Sequence, residues 1–402
     1  MKLALVHDYL IRFGGAERVL LEMAKMFPGA PIYTLLYDEQ KMGKWFPSSR
    51  VQTSFLQKFP RWWRVRHKYL LPFLPAAVET FDLREFDLVI SSSSVFAKGV
   101  VTRPKTTHIN YCHNAARFLW DYNSDYLLEQ SLGGLRGIAV KLMLNYIRLW
   151  DRSASRRVDY FIANSRATAA RIKKFYRREA KVIYPPVEIT NIFLNQRESR
   201  NPSLSTTHSS SVPLRGTPVF AQGRGSPAAD NNYFLIVSQL TPYKKIDVAV
   251  EAFNKLELPL VIIGEGPQKE SLQKIAKSNI KIFGWQPDNI TQEYFKNCTA
   301  FIFPGEDDFG MAPVEAMKYG KPVLALKAGG ALETVLPGIT GEFFDAAVPE
   351  VLADGVRRLR ENLPNYSSLV IRKWAEKFSA ERFRSEILEF IEKVRYNLNN
   401  EI

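Results

Sequence analysis

Short apolar segments alternate with amphipathic ones along this chain twice, and a stretch with no periodicity separates the two runs. In the first run KLALVH, IYTLLY, FDLVISSS, THINYC, VDYFIANS and KVIYPP read as strands, with AERVLLEMAKM, GIAVKLMLNYIRLWDRSASRR and RATAARIKKF between them at helical spacing. Strands separated by helices in this way predict a parallel sheet covered by helices. The second run repeats the pattern from YFLIVS through IDVAVEAFNKL, LPLVIIG, PQKESLQKIAKS, IKIFG and ITQEYFKN to TAFIFP. Between them, Asn195 to Asn232 is rich in Ser, Pro, Gly and Thr and reads as a linker or insertion. Two similar α/β domains joined by a linker imply a cleft.

Composition narrows the class. At 402 residues and 46% hydrophobic content the chain is long enough for two cores. Its two cysteines, Cys112 and Cys298, lie far apart, which argues for a reducing compartment and against a disulfide framework or a structural zinc site. The opening MKLALVHDYL has too few apolar residues before His7 and Asp8 for a signal peptide and reads as a first strand. No apolar run approaches the ~20 residues that span a bilayer, so the expected location is cytoplasmic and not integral to a membrane. The charge is divided unevenly. Residues 1–200 hold 32 Lys and Arg against 17 Asp and Glu, and the remainder holds 23 against 24. A field of that sign attracts nucleic acid or an anionic lipid surface.

The densest chemistry lies in FPGEDDFGMAPVEAMKYGKPVLALKAGGALETV, where Asp307 and Glu315 stand on either side of Phe309 and Gly310. Ala300 to Phe303 reads as a buried strand, Ala312 to Tyr319 as a helix stopped by Gly320, and Pro322 to Ala325 as the next strand. The acids then sit at the carboxyl edge of the sheet, where loops converge and helix amino ends present unpaired N–H groups. Such a pair can face one polyhydroxylated ligand. Acids near a helix start also serve simply to complement its dipole, at ~0.3 to 1 kcal/mol each. Gly14 and Gly15 form a second candidate loop between the first strand and its helix, where backbone can approach an anion. It lacks the three-glycine spacing of a dinucleotide fingerprint. Lys244, Lys245, Gly264 and Gly266 fall at adjacent strand ends of the second domain, where lysine can neutralise a diphosphate or be an ordinary solvated pair.

Together these residues resemble the family 4 retaining glycosyltransferases. The most specific match is the pair of acids separated by seven residues, Asp307 to Glu315; GGAERV, VIYPPV, PYKKID, GEGP and AGGALETV match as well. The resemblance implies the GT-B fold, an α/β arrangement of two Rossmann-like doubly wound domains facing each other across a cleft. The expected divisions are an acceptor-binding domain over 1–190, a linker over 191–232, a nucleotide-sugar domain over 233–376, and a C-terminal helix over 377–402 returning toward the first domain. It also implies roles. His113 contacts the transferred sugar, Lys244 binds the donor diphosphate, and Asp307 or Glu306 meets the sugar hydroxyls. Glu315 grips the ribose, a task suited to a carboxylate that accepts two hydrogen bonds. Gly14, Gly15, Gln239, Lys245, Gly264, Glu265, Gly266, Phe309, Gly310 and Met311 complete the donor side. Asp307 stands where the family carries Glu, and Gln239 where it often carries Arg. The implied reaction transfers a sugar, mannose from GDP-mannose as first expectation, with front-side retention and without a metal or other cofactor.

For the acceptor, residues 55–75 join Trp62 and Trp63 to Arg61, Arg64, Arg66 and Lys68 on an apolar run, the composition of an interfacial segment. With the basic stretch from Arg156 to Lys181 this points to a lipid-linked or glycan acceptor at the inner face of an anionic membrane. A surface helix packing on its own domain has the same composition. No recognition helix or RNA-binding aromatic signature appears, so nucleic acid is not the expected partner. Two other classes fit parts of the pattern: a different GT-B activity such as a sugar-nucleotide epimerase or phosphorylase, and a basic non-enzymatic membrane binder.

Overall fold

Thirteen strands in two parallel sheets organise the described residues of the computed structural model, which are 1–65, 67–123, 134–188 and 232–400. The first sheet contains β1 (Leu3–Leu10), β2 (Ile32–Tyr37), β3 (Val51–Thr53), β4 (Leu88–Ser93), β5 (Thr107–Cys112), β6 (Tyr160–Ala163) and β7 (Ala180–Val182) in the order β3-β2-β1-β4-β5-β6-β7. The second contains β8 (Phe234–Val237), β9 (Leu260–Ile263), β10 (Ile280–Phe283), β11 (Ala300–Phe303), β12 (Val323–Leu326) and β13 (Gly341–Phe344) in the order β10-β9-β8-β11-β12-β13. Each sheet reverses its strand order once, between β1 and β4 and between β8 and β11. Crevices outside the carboxyl ends of strands at such reversals are where open α/β sheets bind ligands.

The apolar strands follow from burial on both faces. Leu5 and Ile90 enter one core of the first domain, and Val6 and Val89 enter the core on the opposite face. Two further cores sandwich the second sheet. The chain crosses between domains at Ile183 to Val187, with Ile183 in a core of the first domain and Val187 in one of the second. It returns after Phe378, whose carbonyl accepts from the Val187 N–H at 2.8 Å. The last helix, Ala380–Asn400, then lays Phe383, Ile387 and Ile391 into the first domain's core, and Arg384 Nη2 meets Glu22 at 2.7 Å. The segment read as a linker lies outside the described residues except for Asn232 at its end.

Residues 55–75 form several short pieces rather than a single helix. They divide into a 3-10 turn Phe55–Lys58, a short helix Arg61–Val65 and a second 3-10 stretch His67–Phe73, with Pro60 separating the first two and Pro72 lying inside the last. Trp63 packs on the core while Trp62, Tyr69 and Phe73 are exposed. Arg66 lies outside the described residues. A continuous exposed apolar stripe occurs elsewhere, on the helix Gly134–Ser155, where Ile138, Leu142, Tyr146 and Leu149 are 56%, 66%, 56% and 66% exposed. Leu144 and Ile147 of the same helix are buried in the core beneath.

Candidate active site

Lys244 ends the 3-10 turn Pro242–Lys244 that follows β8, and Asp307 lies in the loop that follows β11, so the second sheet's reversal brings them together. Lys244 Nζ is 2.5 Å from Asp307 Oδ2 in a buried position. Burial draws the ammonium pKa down, and the carboxylate of Asp307, with Tyr243 and Asp308, more than offsets it, so the net shift is upward. The lysine is a fixed cation. Gly305 makes this approach possible: a Cβ there would meet Lys244 backbone atoms at 2.7 Å. Gly330 supports the acid loop from beneath, its N–H donating to Asp307 O at 2.9 Å.

The helix Met311–Lys318 starts at Gly310, whose φ of 81° is in the left-handed region that favours glycine. Its amino end faces the first domain across the cleft, since a Cβ on Gly15 would come within 3.0 Å of Met311 Sδ. One turn on, Glu315 receives Arg18 Nη1 at 3.2 Å, and Arg18 Nη2 reaches Asp288 at 3.4 Å. Arg18 and Glu315 line a crevice with Glu188, Asp288, Thr291 and Tyr319. Tyr319 Oη is buried there with no hydrogen-bond partner among the described residues. Phe309 points away from the cleft into the second domain's core, 5.5 Å from Phe378 ring to ring, so only its backbone is available to a ligand.

On the first domain's side, His113 follows β5 and His7 sits near the end of β1. Ser92 Oγ of β4 lies 2.7 Å from His113 Nε2 and 3.1 Å from His7 Nδ1, and the two rings are 6.4 Å apart. Burial, with His7 adding to it, pushes His113 down to about 3. It is neutral at neutral pH and acts as a hydrogen-bonding group, not as an acid. Neighbouring Asp8 is consumed by the fold: its carboxylate accepts the N–H groups of Ser94, Val95, Phe96 and Ala97 at 2.7, 2.9, 2.9 and 2.6 Å.

Other expected donor residues lie differently. Gly264 and Gly266 serve packing, because a Cβ would meet Ser238 O at 1.8 Å and Leu240 O at 2.3 Å. Glu265 is exposed and engaged by Lys269 Nζ at 2.8 Å and the Trp285 N–H at 3.2 Å. Gln239 and Lys245 are exposed beside Lys244. Glu306 does not stand free for a sugar: Arg171 and Arg117 reach it at 2.7 and 3.2 Å.

Arg18, Arg117, Arg171 and Asp308 are the residues that sequence reasoning missed. Arg171 and Arg157 belong to the basic stretch read as facing a membrane, yet Arg171 pairs inward, and Arg157 Nη2 meets Glu79 at 2.7 Å. Arg18 carried one usable signal, its position in the first turn of the helix after Gly14 and Gly15. Asp308 is buried against Arg171 at 2.6 Å; burial raises its pKa to about 6, against the pull of Arg171 and Arg117.

Comparisons with known proteins agree with this architecture. The family model described as Glycosyltransferase Family 4 matches residues 13–191, and that described as Glycosyl transferases group 1 matches residues 222–372. The chain is 22% identical to alpha-1,3/1,6-mannosyltransferase ALG2 of Dictyostelium discoideum, with 98% of each covered. It is 27% identical to an uncharacterized glycosyltransferase of Methanocaldococcus jannaschii over 138 residues, which are 33% of this chain and 39% of that protein. Among solved structures, Anabaena HepE in complex with UDP-glucose superposes with a TM-score of 0.65 at 19% identity, covering 98% of this chain and 100% of that one. A family 4 domain followed by a group 1 domain, on two facing Rossmann-like sheets, makes this chain a glycosyltransferase of the GT-B fold.

Proposed function

We propose that the protein moves mannose from GDP-mannose, with retention at the anomeric carbon, to a lipid-linked or glycan acceptor at an anionic membrane face. The observation that carries the donor side is the pairing of buried Lys244 with part-buried Asp307 beside the amino end of the helix Met311–Lys318. As the bond from the sugar's anomeric carbon to the diphosphate oxygen breaks, the diphosphate keeps the electron pair and gains negative charge. A fixed ammonium and a helix amino end stabilise that charge more than the ground state. The acceptor hydroxyl attacks from the face the diphosphate leaves, and its proton passes to a diphosphate oxygen. Asp307 orients the sugar hydroxyls, Glu315 accepts from the ribose, and neutral His113 hydrogen-bonds the sugar from the other domain. Lys244 and the helix supply the phosphate-side charge, so the reading involves no metal. Mannose rests on the full-length similarity to a mannosyltransferase.

The membrane reading rests on the exposed stripe of the helix Gly134–Ser155, with Lys141, Arg152 and Arg156 exposed on the same helix and the turn after it. Trp120 Nε1, in the loop leaving β5 at the carboxyl edge, donates to the buried Asp151 of this helix at 2.9 Å and ties the helix's inner face to that loop. Apolar side chains framed by cations fit a headgroup layer.

A thermal-shift panel of GDP-mannose, UDP-glucose and their free nucleotides tests the donor. GDP-mannose should raise the melting temperature of the wild type, and Lys244→Ala should cut turnover more than ground-state affinity, because leaving-group charge grows in the transition state. A shift with UDP-glucose alone would replace the donor. Equal loss of affinity and turnover in Lys244→Ala would remove its catalytic role.

A further inference from the structure

Arg171 closes the helix Arg166–Arg171 and is followed directly by a π-helical turn, Ile172–Tyr176, a winding frequent at functional positions. Its guanidinium, 13% exposed, divides three nitrogens among three carboxylates from two domains: Nε meets Asp121 at 2.8 Å, Nη1 meets Asp308 at 2.6 Å and Nη2 meets Glu306 at 2.7 Å. The other end of the same helix is also held from across the cleft, where Glu333 accepts from the N–H groups of Arg166 at 2.8 Å and Ala167 at 3.2 Å. Glu306 and Asp308 flank Asp307 in the chain. The Gly330 N–H that bonds Asp307 O lies three residues before Glu333. One short helix of the first domain therefore grips the acid loop of the second through both of its supports.

The charges explain why a grip is needed. Glu306, Asp307 and Asp308 are three successive acids at one sheet edge, and like charges this close repel. Lys244 takes Asp307, and Arg117 takes Glu306 together with Arg171. Only Arg171 reaches Asp308 among the described ion pairs, and a planar guanidinium can satisfy several acids at once where an ammonium cannot. We propose that Arg171 is a positioning residue: by binding Glu306 and Asp308 when the domains close, it sets the Asp307 carboxylate and Lys244 for the donor sugar. This rests on the reading of Asp307 and Lys244 as donor-side groups. Closure of the cleft and placement of the acid loop become one event.

The test compares wild type, Arg171→Ala, Arg171→Lys, Asp308→Asn, the Arg171→Ala/Asp308→Asn double variant and Lys244→Ala. Turnover is GDP release from GDP-mannose, with UDP release from UDP-glucose run in parallel. Nucleotide affinity is measured by calorimetry and domain closure by small-angle scattering. Arg171→Ala should lose roughly tenfold to a hundredfold in turnover, the scale of a 1 Å misplacement, while nucleotide affinity holds. Its scattering should report a larger radius of gyration without ligand. Arg171→Lys should recover only part of the loss, and the double variant should be no worse than Arg171→Ala, since both remove one contact. Losses that multiply, turnover at the wild-type rate, or an unchanged scattering profile would overturn the proposal. Lys244→Ala separates the two readings: a fully active Lys244→Ala fells the donor site itself, whereas an inactive Lys244→Ala beside a normal Arg171→Ala fells only the positioning role.

Discussion

Glu315 is the residue whose role the geometry makes easiest to test. It stands one turn into a helix whose amino end faces the cleft, and Arg18 of the other domain occupies it at 3.2 Å. Replacing it with Ala removes the acceptor proposed for the ribose and leaves Arg18 with Asp288 alone. A hydrogen bond to a charged group contributes roughly 1.5 to 3 kcal/mol, so Glu315→Ala should weaken GDP binding by about tenfold to a hundredfold in calorimetry. Wild-type affinity in that variant would remove Glu315 from the site. Asp307 and Glu315 could be singled out in the sequence by the strand exit and helix that bracket them, and Lys244 through the family resemblance. Arg171 could not. It lies among many basic residues, and nothing local distinguishes the one that turns inward from those that face solvent. Asp308 was hidden in the same way, as one of three adjacent acids whose partners come from sequence positions more than a hundred residues away.

Elements were read more reliably than single contacts, for a physical reason. A strand buried on both faces reads as a nearly continuous apolar run, so segments such as LVII announce themselves. The helix Gly134–Ser155 was recognised as a helix, but its apolar residues are too many for one face, and periodicity alone does not say which set is buried. Packing divides them, with Leu144 and Ile147 inward and Leu142 and Leu149 outward. The aromatic segment over 55–75 forms short pieces whose composition does not say which rings are buried: Trp63 packs on the core while Trp62, Tyr69 and Phe73 are exposed. The outward stripe gives a prediction at this scale. Leu142→Glu with Leu149→Glu removes two side chains able to insert, each worth about 1.5 to 3 kcal/mol on full burial. Co-sedimentation with vesicles rich in anionic phospholipid should fall by roughly tenfold or more, while the fold is kept because both positions are exposed. Salt should weaken wild-type binding without abolishing it, since the apolar contribution is unscreened. Unchanged sedimentation of the variant, or equal binding to purely zwitterionic vesicles, would return the stripe to being an ordinary surface.

At the scale of the whole molecule the two domains should respond to pH in opposite directions. His108 and His113 both belong to the first domain, and burial pushes each from its ordinary 6.5 down to about 3. The folded state then holds fewer protons than the unfolded chain between those values. The stability this provides is present above pH 6.5 and is lost as pH falls through 6.5 toward 3. Lowering the pH from 8 to 5.5 costs about 1.4 kcal/mol for each histidine, roughly 3 kcal/mol for the domain. Asp308, in the second domain, is shifted the other way, from 3.8 up to about 6 by burial. Its contribution is full below pH 3.8 and is lost as pH rises through 6, so the same acidification returns something under about 1 kcal/mol. Peptide-resolved amide exchange, corrected for its intrinsic pH dependence, can follow both domains in the intact protein. Protection of β4 and β5 should fall between pH 8 and pH 5.5 while that of β11 and β12 holds or rises slightly. In Asp308→Asn the second domain should lose its small dependence and the first should keep its own. Parallel loss in both domains would mean that the C-terminal helix, anchored in the first domain's core through Phe383, Ile387 and Ile391, makes them unfold as one unit.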